Sequence, residues 1–284
     1  MITPEDRAFW EAAVNERHSC RSYKPTSVES GAMQRLKAFA AGLALPFDWR
    51  GEFRFFQTAG RPIANNLKVP PPDAVAFLSE TDPLSVAKTG FAGELLLLYA
   101  TGLQINSCWF GHYLLVELER CMPHLGEHAA GPLPAFGYGR GEVPGRRALC
   151  LSPLGYWEEK GLRLVDRLSS GLMSFKRKPL GALMTGPLGP EALSPELRHA
   201  LELAVKAPSA ANTQHWRFNV SADQKTVTVA CLPGFRHFRW EHFDMDIGIC
   251  ASHLWLGLRT QGINCTAEPL PGAEEGHIAW KFSL

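Results

Sequence analysis

The chain has 284 residues, enough to bury a substantial core as one large domain or two small ones. Its 45% hydrophobic and 20% charged residues are those of an ordinary globular protein and exclude a disordered or fibrous chain. A formal net charge of +1 excludes long-range attraction to nucleic acid or to an anionic membrane, so any basic patch is local.

Residues 4–18 read as a first helix, with Thr3 as N-cap and Asp6 three residues later. The basic segment Arg17-His18-Ser19-Cys20-Arg21 follows it. A second helix spans 30–45, Phe53 to Phe56 is a short strand, and Val69 to Pro72 is a proline-rich loop. Gly90 to Leu103 is apolar and too long for a strand, yet too short to cross a bilayer before Gln104 and Asn106 interrupt it. The turn Ser107-Cys108-Trp109-Phe110-Gly111 comes next, then a glycine-rich turn over 137–147 and a strand over 147–153.

A junction at 168–190, rich in Gly, Pro and Ser, leads to a second series of elements. Residues 195–206 form a helix, 216–220 and 226–231 strands, 245–260 an apolar helix, and 277–282 a final strand. The two series match. Phe53-Arg54-Phe55 aligns with Trp216-Arg217-Phe218 at an offset of 163, and Gly102-Leu103 with Gly262-Ile263 at 160. Two elements at nearly one offset predict a duplicated helix–strand–helix–strand unit. The expected halves, 1–167 and 168–284, are too short to stand apart and should interlock around one core.

Seven scattered cysteines, odd in number and without a CxxC, read as reduced thiols. With Glu5, Asp6 and Arg7 preceding any apolar run, no signal peptide is visible, and the expected compartment is the cytoplasm.

Three segments have residue types suited to one ligand. In an extended chain Arg17, Ser19 and Arg21 point to one side, where two guanidinium forks and a hydroxyl suit a phosphate. Lys24 adds a further positive charge nearby. Alone, such a segment is equally a solvated basic turn. In Pro208-Ser209-Ala210-Ala211-Asn212-Thr213-Gln214-His215-Trp216, small residues permit close backbone approach, and the amides of Asn212 and Gln214 both donate and accept, as a polar heterocycle edge requires. Read by composition alone it is a polar loop ending a helix. Backbone N–H groups of the 107–111 turn suit a carbonyl or ring nitrogen, although Cys108 and Trp109 are equally plain core. Lys176-Arg177-Lys178 is a surface charge run or a further phosphate-binding group.

In combination and in this order, these segments resemble the nitroreductase superfamily of FMN-dependent oxidoreductases. The family's R-x-S-x-R/K segment is matched by Arg17, Ser19 and Arg21, with His18 between them. Its P-S-x-x-N-x-Q-P-W segment is matched by Pro208, Ser209, Ala210, Asn212, Gln214 and Trp216. Its G-L-x-x-x-W-x-G turn is matched by Gly102, Leu103, Ser107, Cys108, Trp109 and Gly111. The resemblance implies an α+β fold, a mostly antiparallel sheet flanked by helices and built here from two diverged half-repeats. It implies phosphate binding by the first segment, contact with the flavin ring and ribityl chain by the second, and cover of the reactive edge by the third. One of Lys176, Arg177 and Lys178 would return to the phosphate. Hydride transfer from NADH or NADPH to flavin N5, then reduction of a small organic acceptor, would need no catalytic side chain.

The departures matter as much. Half two has no R-x-S-x-R near Phe175-Lys176-Arg177, and half one has Ala44-Leu45-Pro46-Phe47-Asp48-Trp49 where half two has the Asn/Gln loop. The expectation is therefore one site per chain in a monomeric pseudo-dimer, without a nucleic-acid or membrane partner. His215 stands where the family has proline, a departure that bears on the loop's rigidity. Two other readings compete: an FMN-binding protein without turnover, and a metal hydrolase using His237, Glu241, His242, Asp244 and His253. The spacing His-x-x-x-Glu-His is one residue longer than the inverted zinc-protease pattern. Cys121, His124 and His128 lack a paired ligand set. The run Gly137, Gly139, Gly141 does not sit between a strand and a helix as a dinucleotide loop does.

Overall fold

The computed structural model describes residues 4–64, 67, 69–122, 145–158, 176–236, 242–272 and 277–284. Thr3, His124, His128, the run Gly137 to Gly141, the 167/168 boundary, Phe175, His237 and Glu241 lie outside the described residues.

Half one runs α1 (Pro4–Glu16), α2 (Ser30–Ala41), β1 (Glu52–Gln57), β2 (Asp73–Ser79), α3 (Pro83–Gly102), β3 (Asn106–Ser107), α4 (Leu115–Cys121) and β4 (Arg147–Gly155). Half two runs α5 (Leu180–Leu183), α6 (Pro195–Val205), β5 (Trp216–Val220), β6 (Thr226–Cys231), α7 (Asp244–Thr260), β7 (Thr266–Pro271) and β8 (Ile278–Ser283). The fold is α+β, as expected, with its antiparallel strands divided between two sheets, one in each half. The strand orders, β1-β2-β4-β3 and β5-β6-β8-β7, are the same weave, and every neighbouring pair is antiparallel.

Several elements were unread or shorter in the sequence, for identifiable reasons. Strand β2 is buried at all seven positions, so it lacks the alternation that marks a half-buried strand. Strand β7 carries two prolines, which only an edge strand tolerates, and it is the edge of its sheet. Helix α3 starts at Pro83 rather than Gly90. Asp82 caps it by accepting from the Ser85 N–H at 2.9 Å, and Pro83 takes a position that needs no N–H.

Helices α3 and α7 are buried nearly all round, which identifies them as core helices. They meet through two glycines. A Cβ on Gly90 would run into the Met245 carbonyl oxygen, and one on Gly248 would run into the Ala87 carbonyl oxygen. Gly90 and Gly248 are 158 positions apart, and so are Ala87 and Met245. The contact is thus reciprocal, the pattern of a two-fold interface. One buried cluster passes through both halves, joining Phe77 and Leu95 to Trp216, Leu254 and Trp280.

Candidate functional site

The first helix ends before the basic segment. Arg17 still donates its N–H to Ala13 O at 3.0 Å, after which the chain extends. Ser19 forms a parallel bridge with Ser107, and the Cys20 N–H reaches Ser107 O at 2.9 Å. The fold thereby lays the basic segment along the 107–111 turn. Its side chains have unequal surroundings: Arg17 is buried, Ser19 half-buried, and His18, Arg21 and Lys24 exposed. His18 Nδ1 lies 3.1 Å from Glu16 O.

Arg17 donates from Nε to Glu94 Oε1 at 2.9 Å, and its Nη2 lies 3.4 Å from Ser19 Oγ. Glu94, in the middle of α3, is completely buried. Its Oε1 also receives His253 Nε2 at 2.9 Å, and its Oε2 receives Trp109 Nε1 at 2.6 Å. Burial pushes the Glu94 pKa up, but Arg17, His253 and Trp109 together hold it below the ordinary carboxylate value. His253 Nδ1 faces Leu203 O at 3.3 Å, so the ring bridges the carboxylate and a backbone carbonyl of the other helix. One carboxylate thus joins the basic segment, the 107–111 turn and a helix of the other half.

The loop after α6 is held in an unusual conformation. Ala211, Asn212 and Gln214 have φ values of 51, 54 and 48°, the left-handed region that costs non-glycine residues of order 1 kcal/mol or more each. The supports are identifiable. Asp246 Oδ2 accepts the Ala210 N–H at 2.9 Å, and Ser209 Oγ accepts the Gln214 N–H at 3.0 Å. His215, in the proline position, is buried and stacks on Phe235 at 4.2 Å. Its Nδ1 meets Thr213 Oγ1 at 3.0 Å and its Nε2 meets Phe243 O at 3.2 Å, so the loop is braced by hydrogen bonds where the family uses a ring. Pro208 is buried beneath it.

Residues 176–178 are bound to this loop. The Lys178 N–H donates to Gln214 Oε1 at 2.8 Å, and Lys176 O accepts from Gln214 Nε2 at 3.1 Å and Asn212 Nδ2 at 3.2 Å. Lys178 Nζ reaches Thr213 O at 2.9 Å. Arg177 Nη1 donates to Asn212 Oδ1 at 2.8 Å. Arg177 is exposed taken over the whole residue, yet desolvation of its guanidinium and then the Arg17 charge press its pKa below the ordinary value. Of the three basic residues, Arg177 is the one whose titration is influenced by the Arg17 charge, and Lys176 is exposed. Burial, then Arg217, lowers the Lys178 pKa.

In the 107–111 turn, Cys108 donates its N–H to Ser152 Oγ at 3.2 Å, and Phe110 exchanges both backbone bonds with Leu151. Trp109 lies against Phe77, and Gly111 is half-buried. Ser107 Oγ is buried with no hydrogen-bond partner among the described residues.

Of the histidine cluster, the described members His242, Asp244 and His253 have separate surroundings. His253 points to Glu94, Asp244 accepts the Ile278 N–H at 3.0 Å, and burial lowers the His242 pKa to about 4. Among the described residues no group of three or more His, Cys, Asp or Glu is placed to hold a metal ion. Sequence reading missed Glu94, although it is the lone charge in the apolar run from Thr89 to Leu98. Among the described residues no helix is long and apolar enough to cross a membrane.

A family model described as "Putative TM nitroreductase" matches residues 11–258. Among solved structures, the chain is similar to a protein from Thermotoga maritima described as a "putative nitroreductase". Identity is 18% over 97% of this chain and 93% of that one, with a TM-score of 0.60, which shows a shared fold. It is also similar to an FMN-dependent nitroreductase from Clostridium difficile, at 17% identity over 60% of this chain and 99% of that one (TM-score 0.36). A third similarity is to a "putative nitroreductase" in complex with FMN from Desulfovibrio desulfuricans, at 16% identity over 61% of this chain and 94% of that one (TM-score 0.39). No curated protein matches the chain.

Proposed function

The chain belongs to the nitroreductase family that this model describes, and on that premise we propose an FMN-dependent oxidoreductase with one cofactor site per chain. It would take electrons from NADH or NADPH and pass them to a small organic acceptor, as a monomeric pseudo-dimer in the cytoplasm.

The observation that carries the reading is the charge balance between the halves. Two guanidinium groups, Arg17 and Arg177, stand near the Glu94 carboxylate; Arg17 bonds to it directly, while Arg177 bonds to a neutral amide. Such a site favours a dianionic phosphate monoester, for which charge-assisted guanidinium donors are suited. The buried Ser107 Oγ, in the strand beside Ser19, is a further polar group without a partner among the described residues. These residues fit the phosphate end of FMN.

Arg17, Ser19 and Arg177 would hold the phosphate, with Arg21 at the exposed rim. Pro208, Ser209 and Ala210 would let the backbone approach the flavin, and Asn212 and Gln214 would present amides to its polar edge. Lys178 would offset negative charge on the reduced ring. The 107–111 turn would shield the reactive edge from water. When bound, FMN supplies the hydride-accepting and hydride-donating centre, so no side chain has to act as acid or base.

The test is the visible absorption spectrum of the purified protein, with released flavin identified and counted. The expected result is about one FMN per chain, bound at a protein site that supplies only position and charge. A protein that takes up no flavin after incubation with FMN overturns the proposal. Oxidation of NADH or NADPH by the flavin-loaded protein is the second readout; bound FMN without it reduces the function to binding.

A further inference from the structure

Glu94 is an expensive residue where it stands. It is a fully buried carboxylate in the middle of a helix, flanked from Gly90 to Leu98 by Gly, Phe, Ala and Leu alone, and an apolar residue there would cost no desolvation. Its retention has a geometric counterpart. It takes Arg17 by Nε alone, and the committed Nε edge leaves the Nη edge, already turned towards Ser19, as the part of Arg17 that can meet a ligand. On the other side, His253 reaches the same oxygen from α7 while its second nitrogen is anchored on Leu203 O in α6.

We infer that Glu94 and His253 are positioning residues for the phosphate group: Glu94 orients the Arg17 guanidinium towards the ligand, and His253 fixes that carboxylate to the second half of the molecule. The inference rests on the proposed FMN site and adds two residues to it that lie in none of the three motif segments. A planar guanidinium loses its two-pronged match to a phosphate on small rotations, so its orientation decides how well it binds. His253 makes that orientation depend on the packing of α7 against α3, so both halves contribute to one phosphate site. Trp109 Nε1 occupies the remaining oxygen and keeps the carboxylate from turning.

The discriminating probe is riboflavin, which has the ring and ribityl chain of FMN but no phosphate. Affinities for FMN and riboflavin are measured by flavin fluorescence on the full chain, for wild type, Glu94→Gln and Glu94→Asp. Far-ultraviolet circular dichroism establishes that each variant is folded. Wild type is expected to prefer FMN. Glu94→Gln should lose about tenfold of that preference, the scale of a misdirected charge-assisted pair, with riboflavin affinity unchanged. Glu94→Asp, which keeps the charge but draws it back by one methylene, should lose part of it, and it remains informative if Glu94→Gln does not fold. A folded variant that retains the wild-type preference, or loses both flavins equally, overturns the positioning role. A wild-type protein without any preference for FMN overturns the phosphate site itself, a different failure.

Discussion

The loop over 207–215 and the loop over 43–50 each leave a helix and enter the first strand of a sheet, and each is held by the same position of a core helix. In α7 the carboxylate of Asp246 accepts the Ala210 N–H; in α3 the ammonium of Lys88 donates to Asp48 O at 2.9 Å. Asp246 and Lys88 are 158 positions apart, the same separation as the two glycines at the helix crossing. Beyond that anchor the loops diverge. The first carries three left-handed residues, and its amides Asn212 and Gln214 bond to residues 176–178. The second has no left-handed residue, and Phe47 packs on Phe91 and Trp280 with centroids 5.1 and 5.0 Å apart, while Trp49 Nε1 caps Thr89 Oγ1 at 3.1 Å. One loop of a repeated frame packs rings and the other is polar and strained. This difference teaches that the one-site reading proposed above requires no change of scaffold, only a change of what two corresponding loops carry.

The comparison can be broken or sharpened by substitution. The largest effect is expected where the aromatic loop packs: Trp280→Ala removes a fully buried ring and should lower the unfolding free energy by about 3–5 kcal/mol in urea titrations. If the folded variant also lost its flavin, the two loops would not be independent and the comparison would fail. Gly248→Ala forces a methyl against the Ala87 carbonyl and should cost about 1–3 kcal/mol, tested by the same titration. A shift of that size at Gly90→Ala as well would sharpen the case for reciprocal packing.

On the polar side, Arg17→Ala and Asn212→Ala should each weaken FMN retention on the order of tenfold, read as flavin per chain after gel filtration, while Phe47→Ala leaves it unchanged. Unchanged flavin in both polar variants would sink the site model. The smallest effect concerns Asp246. Burial raises its folded pKa well above the ordinary value, so the fold favours the protonated carboxyl. The stability this contributes is complete below the unfolded carboxylate pKa and is lost as pH rises towards the folded pKa. Asp246→Asn keeps an oxygen for the Ala210 N–H without the charge. It should be more stable than wild type at neutral pH, and the advantage should vanish under acid. Parallel pH profiles for the two proteins would contradict it.

Much of the frame was legible. Strands β5 and β6 and helix α7 stood at their expected places because turn residues and apolar runs bound them sharply. The offset between Phe55 and Phe218 foreshadowed two halves with one weave of strands. What escaped reading did so because its signal was ambiguous or external. A strand buried on both faces has the pattern of a buried helix, and a strand with two prolines is admissible only where a sheet edge exists. The partner of His253 was illegible for a related reason: a side chain's partner is chosen in three dimensions, and His253 meets a carboxylate in the other half.

The sequence by itself determined the class of fold, the two-part order of its elements, the family resemblance and the segments that could meet a flavin. All of these rest on local patterns: periodicity, turn chemistry and short motifs. The tertiary structure alone decided that Arg177 meets Asn212 by its guanidinium while Lys176 meets the loop by its carbonyl, that His215 braces its loop in place of a proline, and that Glu94 joins three separate segments. The Arg17–Glu94 and Glu94–His253 bonds span 77 and 159 residues of chain. A contact of that separation leaves no periodicity or motif behind; it exists only once two core helices, brought close by glycine, set their few polar residues side by side.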